Sequence, residues 1–102
     1  MATKINGAEL KKLIDSGETV VVDFFADWCG PCQMFLPIFT DLAEKEDIKM
    51  VAVNIDENKD EAIEAGVQGI PTVIIFKDGK EAFKNVGFMT PEQLTEFVNQ
   101  AK

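Results

Sequence analysis

Two cysteines, Cys29 and Cys32, are the residues of this sequence best suited to chemistry. They enclose Gly30-Pro31 and stand between a run of β-branched and aromatic residues and a segment with helical periodicity. Unpaired N–H groups and the helix dipole stabilise a thiolate at a helix N-terminus. We therefore expect thiol–disulfide exchange, with Cys29 as the attacking thiolate and Cys32 as the thiol that resolves the mixed disulfide.

Metal binding and inert packing are the alternative interpretations of the cysteine pair. Zinc and iron–sulfur sites generally need four ligands, and the chain has two cysteines and no histidine, so a metal would require a dimer. Haem attachment needs a histidine after the second cysteine, where Gln33 stands. The strand–turn–helix context favours redox chemistry over an inert pair. We expect no metal and no cofactor, since no Gly-rich dinucleotide fingerprint occurs either.

Asp23 is the second candidate for chemistry, because it interrupts an apolar run that extends from Val20 to Phe25. A buried carboxylate is costly when ionised, so we expect its pKa to rise towards neutrality. Asp23 is then a candidate acceptor for the proton of Cys32, through water. The alternative is an aspartate at the end of a strand whose carboxylate turns into solvent.

Composition limits the class of protein. The chain has 102 residues, 46% of them hydrophobic, which fits one compact domain over residues 1–102. Its net charge of −8 disfavours binding to nucleic acid or to anionic membranes. No run approaches the ~18 apolar residues of a membrane span. The polar N-terminal residues lack the apolar run of a secretory signal, so we expect a cytoplasmic protein.

The apolar periodicity predicts alternating strands and helices that position these residues. Strands buried on both faces are typical of a sheet covered by helices, so we expect an α/β protein, a three-layer α/β/α sandwich with a mixed central sheet. Asp78-Gly79 predicts a hairpin, and Thr90-Pro91-Glu92-Gln93 predicts a capping box. The predicted order is a strand near 3–5, a helix over 7–15, a strand over 19–26, a helix after Cys32, a strand over 49–55, a helix over 60–65, strands over 72–76 and 81–87, and a last helix after Thr90.

The whole chain resembles the thioredoxin family. The resemblance lies in Trp28-Cys29-Gly30-Pro31-Cys32 and the preceding Val22-Asp23-Phe24-Phe25-Ala26, with Pro37, Gly69-Ile70-Pro71-Thr72, Asp78-Gly79 and Val86-Gly87 in family order. It implies the thioredoxin fold and a monomeric protein-disulfide reductase that is recharged by a separate thioredoxin reductase. It also gives Asp23 the proton-acceptor role.

The resemblance further implies a docking surface for disulfide-containing proteins. The bond between Ile70 and Pro71 should be cis and face the cysteines, with the Ile70 backbone pairing with an extended substrate. Without the family, an ordinary trans proline at the start of a strand is the simpler interpretation. Phe88 either joins this surface or packs as a satellite of the core. The docking residues implied are Trp28, Gly30, Pro31, Ile70, Pro71, Val86 and Gly87.

Two positions depart from the family pattern. A buried Lys that often pairs with the aspartate is replaced by Ala52, and the residue after the second cysteine, often Lys or Arg, is Gln33. Both changes remove positive charge near the cysteines, and Asp27 adds a negative one. We expect Asp23 to ionise less readily than in a Lys-paired relative. An oxidase or isomerase, or a binding module on the same fold, are the competing functions; Gly30-Pro31 favours the reductase.

Overall fold

The computed structural model describes residues 3–102, without the side chain of Thr3. Its elements follow the predicted order, with boundaries shifted by one or two residues. Met1 and Ala2, which belong to the polar start, lie outside the described residues. The elements are β1 (Thr3–Lys4), α1 (Gly7–Asp15), β2 (Val20–Phe25), α2 (Gly30–Ala43), β3 (Lys49–Asn54), α3 (Lys59–Glu64), β4 (Thr72–Lys77), β5 (Lys80–Val86) and α4 (Pro91–Asn99).

The five strands form one mixed sheet in the order β1-β3-β2-β4-β5. β3 pairs in parallel with β1 and β2, whereas β4 runs antiparallel to β2, and β5 antiparallel to β4. The carboxyl ends of β2, β3 and β5 and the start of β4 therefore lie at one edge of the sheet. The connections that contain the candidate site residues meet at that edge.

Helices cover both faces of the sheet, because its inner strands are apolar on both sides. All six residues of β2 are buried. On one face, Val21 and Val73 pack with Phe35 and Phe39 of α2 and with Leu94 of α4. On the other face, β2 and β3 pack against Leu10 of α1 and residues next to α3. The predicted three-layer sandwich and mixed sheet are confirmed.

Local signals fix the turns and helix starts. Asn6 and Thr90 each form a capping box, with Glu9 and Gln93 respectively. Asp78 and Gly79 both have positive φ, 55° and 82°, which is the backbone of a two-residue hairpin turn. α2 continues through Pro37 to Ala43. These features hold the strands in the register that brings the functional residues together.

Candidate active site

Cys29 is the N-cap of α2. It follows the connection from β2, and its extended backbone (φ −89°, ψ 110°) leaves Sγ free to accept the N–H of Cys32 at 3.2 Å. Pro31 lies in the first turn of α2, where a proline needs no N–H partner. The Cys32 N–H at this helix end therefore points at the sulfur atom of Cys29, and together with the helix dipole it favours the Cys29 thiolate.

The two cysteines are joined in a disulfide, so the structure describes the oxidised protein. Their Cα atoms are 5.2 Å apart. Cys29 is 5% exposed and Cys32 is completely buried, beneath the first turn of α2. Cys29 is thus the more accessible of the two cysteines, and the division between attacking and resolving thiols stays a prediction.

Asp23 lies on the face of β2 that α2 covers. Side chains alternate along a strand, so Asp23 points to the same side as Val21, which packs on Phe35, and as Phe25, which clusters with both cysteines. Its neighbours across the sheet are Ala52 on β3 and Val73 on β4. The carboxylate is fully buried between apolar side chains, and the solvent-facing alternative is wrong.

Burial raises the pKa of Asp23 to about 7. Neither carboxylate oxygen has a hydrogen-bond partner among residues 3–102. Ala52 leaves the neighbouring position without a cation, as the resemblance implies. In the same row of the sheet, beyond Ala52, Lys4 of β1 places its Nζ 5.3 Å from the centroid of the Phe25 ring. Asp23 is thus poised to gain and lose a proton near neutral pH.

The predicted docking residues gather around Cys29 at the active edge of the sheet. Trp28 is 71% exposed and Val86 63% exposed, so both present apolar surface to solvent. Gly30 and Pro31 are also exposed, whereas Ile70 and Gly87 are half-buried and Pro71 is buried. Pro71 therefore lies beneath the surface rather than on it, and whether these residues bind substrate stays a prediction.

The segment between α3 and β4 faces the cysteines. The Ile70–Pro71 peptide bond is cis, as the resemblance implies. The carbonyl oxygen of Ile70 lies 3.8 Å from Sγ of Cys29, and the N–H of Gly87 donates to the carbonyl of Pro71 at 2.8 Å. The start of β4 and the end of β5 are thereby joined beside the reactive sulfur.

Phe88 combines the two roles considered for it, since it packs on the core and also extends the exposed apolar surface. Its ring contacts the buried ring of Phe35 in an edge-on arrangement with centroids 6.1 Å apart, yet Phe88 is 42% exposed. One part of the ring belongs to the core under α2 and the other extends the apolar surface next to Val86.

Sequence reasoning missed Asp56. The Trp28 indole Nε1 donates to Asp56 Oδ2 at 2.8 Å, and the Asp56 N–H donates to Asn54 Oδ1 at 2.8 Å. An acidic residue just after β3 is the available signal, since parallel β2 and β3 end at the same edge. The partner of Trp28 depends on the conformation of two connections, which periodicity does not describe. The sequence singled out Gln33 only because it lacks the positive charge that the family often has at that position. Its side-chain NH₂ group donates to the Ala26 carbonyl at 3.3 Å.

The described part of the chain contains no helix long and apolar enough to cross a membrane. Within residues 3–102, no three histidine, cysteine or acidic side chains come together in a way that could hold a metal ion.

Two cysteines form a redox pair at a helix N-terminus of an α/β/α sandwich, and one of them is accessible at the surface. This arrangement defines an oxidoreductase that acts on disulfides. The family model described as Thioredoxin matches residues 2–100. The chain belongs to the thioredoxin family.

Individual relatives agree with this assignment. Thioredoxin of Mycoplasmoides gallisepticum is 44% identical over 94 residues, covering 91% of this chain and 94% of the relative. Thioredoxin of Chlamydia pneumoniae is 44% identical over 101 residues, covering 98% of both chains. The structure of Fasciola hepatica thioredoxin superposes with a TM-score of 0.88 at 35% identity, covering 100% of both chains. A mutant thioredoxin from Halobacterium salinarum gives 0.89 at 35% identity, covering 97% and 88%.

Proposed function

We propose that this protein reduces disulfides in other proteins through Cys29 and Cys32, with Asp23 as the proton acceptor. The observation that carries the proposal is the placement of Cys29: its sulfur lies at the N-terminus of α2, accepts an N–H and is the only one of the two with access to solvent. That arrangement stabilises the thiolate where a partner's disulfide can approach it.

The reaction takes two exchange steps. The Cys29 thiolate attacks one sulfur of the substrate disulfide; a new S–S bond forms and the other substrate sulfur leaves as a thiolate, which takes a proton from solvent. Asp23 then accepts the proton of Cys32, whose thiolate attacks Cys29 Sγ and releases the second substrate sulfur. The substrate gains two electrons and two protons, and the protein ends as the Cys29–Cys32 disulfide.

A substrate chain docks on the surface around Cys29, and Pro71 supports this surface from beneath. The residues that form it are Trp28, Gly30, Pro31, Ile70, Val86 and Gly87. Their exposure around a reactive sulfur supports this role, since contiguous apolar surface on a small protein marks an interaction site. The backbone of Ile70, whose carbonyl oxygen lies 3.8 Å from Cys29 Sγ, suits main-chain pairing with an extended segment.

The protein works as a single-domain monomer in the cytoplasm and receives its electrons from a separate thioredoxin reductase. A reducing compartment suits a chain whose two cysteines form one exchangeable pair. Sedimentation at micromolar concentration tests the monomer, and the redox state of the pair in cells tests the compartment. An oxidised pair in growing cells would contradict the reducing role.

Insulin reduction coupled to a thioredoxin reductase and NADPH tests the activity. We expect turnover with the unmodified protein and loss of at least ~10³-fold in Cys29→Ser, since the attacking thiolate is removed. Cys32→Ser should lose turnover as well but accumulate a mixed disulfide between Cys29 and insulin, visible by mass spectrometry. Turnover retained in Cys29→Ser, or a Cys32→Ser protein that traps no insulin, would contradict the proposed roles.

A further inference from the structure

The surface around Cys29 carries charge on one side only. At the active edge, the strand order places the β3 connection beside the β2 connection, then the start of β4 and then the end of β5. Asp56 and Glu57 follow β3, and Asp27 precedes Trp28 on the β2 connection. The opposite side, formed by residues 69–72 and 85–89, contains no charged residue.

The carboxylates belong to the docking surface rather than to the general acidity of the chain. Asp56 is tied to Trp28 through the 2.8 Å hydrogen bond to the indole, which fixes one carboxylate at the edge of an apolar side chain that is 71% exposed. Asp27 and Glu57 are exposed on either side of this pair in the two connections. None of the ion pairs of residues 3–102 includes any of these three carboxylates.

No lysine of residues 3–102 forms an ion pair with these three carboxylates. The segments that surround Cys29 are residues 26–34, 55–58, 65–71 and 87–90, and none of them contains a basic residue. Lys59 begins α3, two residues after Glu57, and Lys4 of β1 has its Nζ 5.3 Å from the centroid of the Phe25 ring. Lys84 of β5 pairs with Glu81 at 3.5 Å and donates to the Ala65 carbonyl at 3.4 Å. The negative potential at the Trp28 side of the surface is therefore left for a partner to neutralise.

We infer that the protein selects disulfide-bearing segments that are basic on one flank of the reacting cysteine and apolar on the other. The basic flank lies over Asp27, Asp56 and Glu57, and the apolar flank lies over Val86 and Phe88. Neighbouring strands are ~4.8 Å apart, so the two ends of the surface are about 14 Å apart, the length of roughly four extended residues. Both flanking groups thus lie within about three residues of the cysteine. The inference rests on the proposed reductase activity and names the substrate class that this activity prefers.

Four peptides that differ only in the residues flanking their cysteine test the inference. Each has a single cysteine held as a mixed disulfide with 2-mercaptoethanol. Two lysines or two glutamates stand on the N-terminal or on the C-terminal flank. The rate constant for oxidation of the reduced protein is followed by the fluorescence of Trp28, the only tryptophan. Each rate is divided by the rate of the same peptide with dithiothreitol, which removes the effect of the flanking charge on the leaving thiol.

For one of the two flanks, N-terminal or C-terminal, we expect the peptide with lysines there to react about tenfold faster, by normalised rate, than the peptide with glutamates there in 10 mM salt. The ratio should fall below about twofold in 0.5 M salt, because exposed charges are then screened. On the other flank the ratio should be smaller, since the carboxylates lie on one side. Equal ratios on both flanks, or no preference at low salt, would overturn the inference.

Charge reversal supplies the matched variants. Asp27→Lys with Glu57→Lys, which leaves the Asp56–Trp28 hydrogen bond intact, should make the glutamate peptide the faster one. The control Glu44→Lys with Asp47→Lys adds the same charge at the opposite edge of the sheet and should keep the ratio within about twofold of the unmodified protein. If the reversed pair misfolds, Asp27→Asn with Glu57→Gln should reduce the ratio instead.

Failure of the inference is distinguishable from failure of the proposed function. If the protein oxidises with none of the four peptides, the reductase proposal is wrong. If all four react at equal normalised rates, the activity stands and only the charge preference is wrong. A ratio that changes as much in the Glu44–Asp47 control as in the Asp27–Glu57 variant would trace the preference to net charge and also overturn the inference.

Discussion

Asp23 is a carboxyl group buried without a cation beside it, so its ionisation affects the stability of the fold as well as the exchange reaction. Burial raises the folded-state pKa from 3.8 to about 7. Below pH 4 the group is protonated in both folded and unfolded chains, and it adds no cost. As the pH rises from 4 to 7 the unfolded chain releases the proton first, so stability falls; above pH 7 the cost is complete.

Replacing Asp23 removes that cost. At about 1.4 kcal/mol per pKa unit, the full contribution is on the order of 4 kcal/mol as an upper bound. Urea unfolding of the oxidised protein should therefore show Asp23→Asn gaining about 2–4 kcal/mol relative to the unmodified protein between pH 4 and pH 8. The exposed Asp47→Asn variant is the matched control and should show no such gain. A constant difference between Asp23→Asn and the unmodified protein at all pH values would contradict the prediction.

Ala52→Lys tests the cause of the raised pKa. Ala52 is the register neighbour of Asp23, so a lysine there places a cation next to the carboxylate and should lower its pKa. An NMR titration of Asp23 reports the change directly, and the loss of stability above pH 7 should shrink with it. An unchanged titration would show that the neighbouring position does not control this group.

At the scale of elements, two connections at the carboxyl ends of β2 and β3 hold Trp28 in place. The Trp28–Asp56 hydrogen bond links them, and Asn54 and Asn58 hold the β3 connection through bonds of 2.8 and 3.0 Å. Asp56→Ala should free the indole and lower the steady-state fluorescence anisotropy of Trp28. Asp56→Asn keeps an acceptor oxygen and is expected to retain most of the anisotropy. If both variants lose it equally, charge rather than the hydrogen bond orients the indole.

Periodicity and turn chemistry predicted the elements because their signals are local. A nearly continuous apolar run rich in β-branched residues marks β2, Asp78-Gly79 marks the hairpin, and Thr90 with Gln93 marks the start of α4. The redox chemistry of the cysteine pair was predicted from its place between a strand and a helix. These are patterns within about ten residues, which a sequence displays directly.

Contacts between distant segments were harder to predict. That Ala52 stands beside Asp23 came from the family resemblance, and the register of β2 and β3 confirms it. The Trp28–Asp56 bond joins residues 28 positions apart and was missed. The exposure of Phe88 depends on how α2 packs on the end of β5, so both interpretations stood until the Phe35 contact was visible. Tertiary packing, rather than local preference, decides each of these.

At the scale of the whole molecule, the net charge of −8 is spread over a small surface. The ion pairs of the described residues join Lys45 to Asp41, Lys84 to Glu81 and Lys102 to Glu46, at 3.0–3.5 Å. Exposed pairs of this kind contribute little, so repulsion among the remaining carboxylates dominates the long-range electrostatics of the fold.

Screening should therefore stabilise the protein. The Debye length falls from about 30 Å at 0.01 M salt to about 10 Å at 0.1 M, which weakens repulsion across the molecule more than contacts within an ion pair. At pH 7 we expect the Tm to rise by about 4 °C between 10 and 200 mM NaCl, equivalent to roughly 1 kcal/mol for a chain of this size. KCl should give the same rise, because screening depends on ionic strength, whereas sodium sulfate should add a further increment by exclusion from the surface. A Tm that is flat or falls in both chloride salts would mean that local ion pairs outweigh the net repulsion.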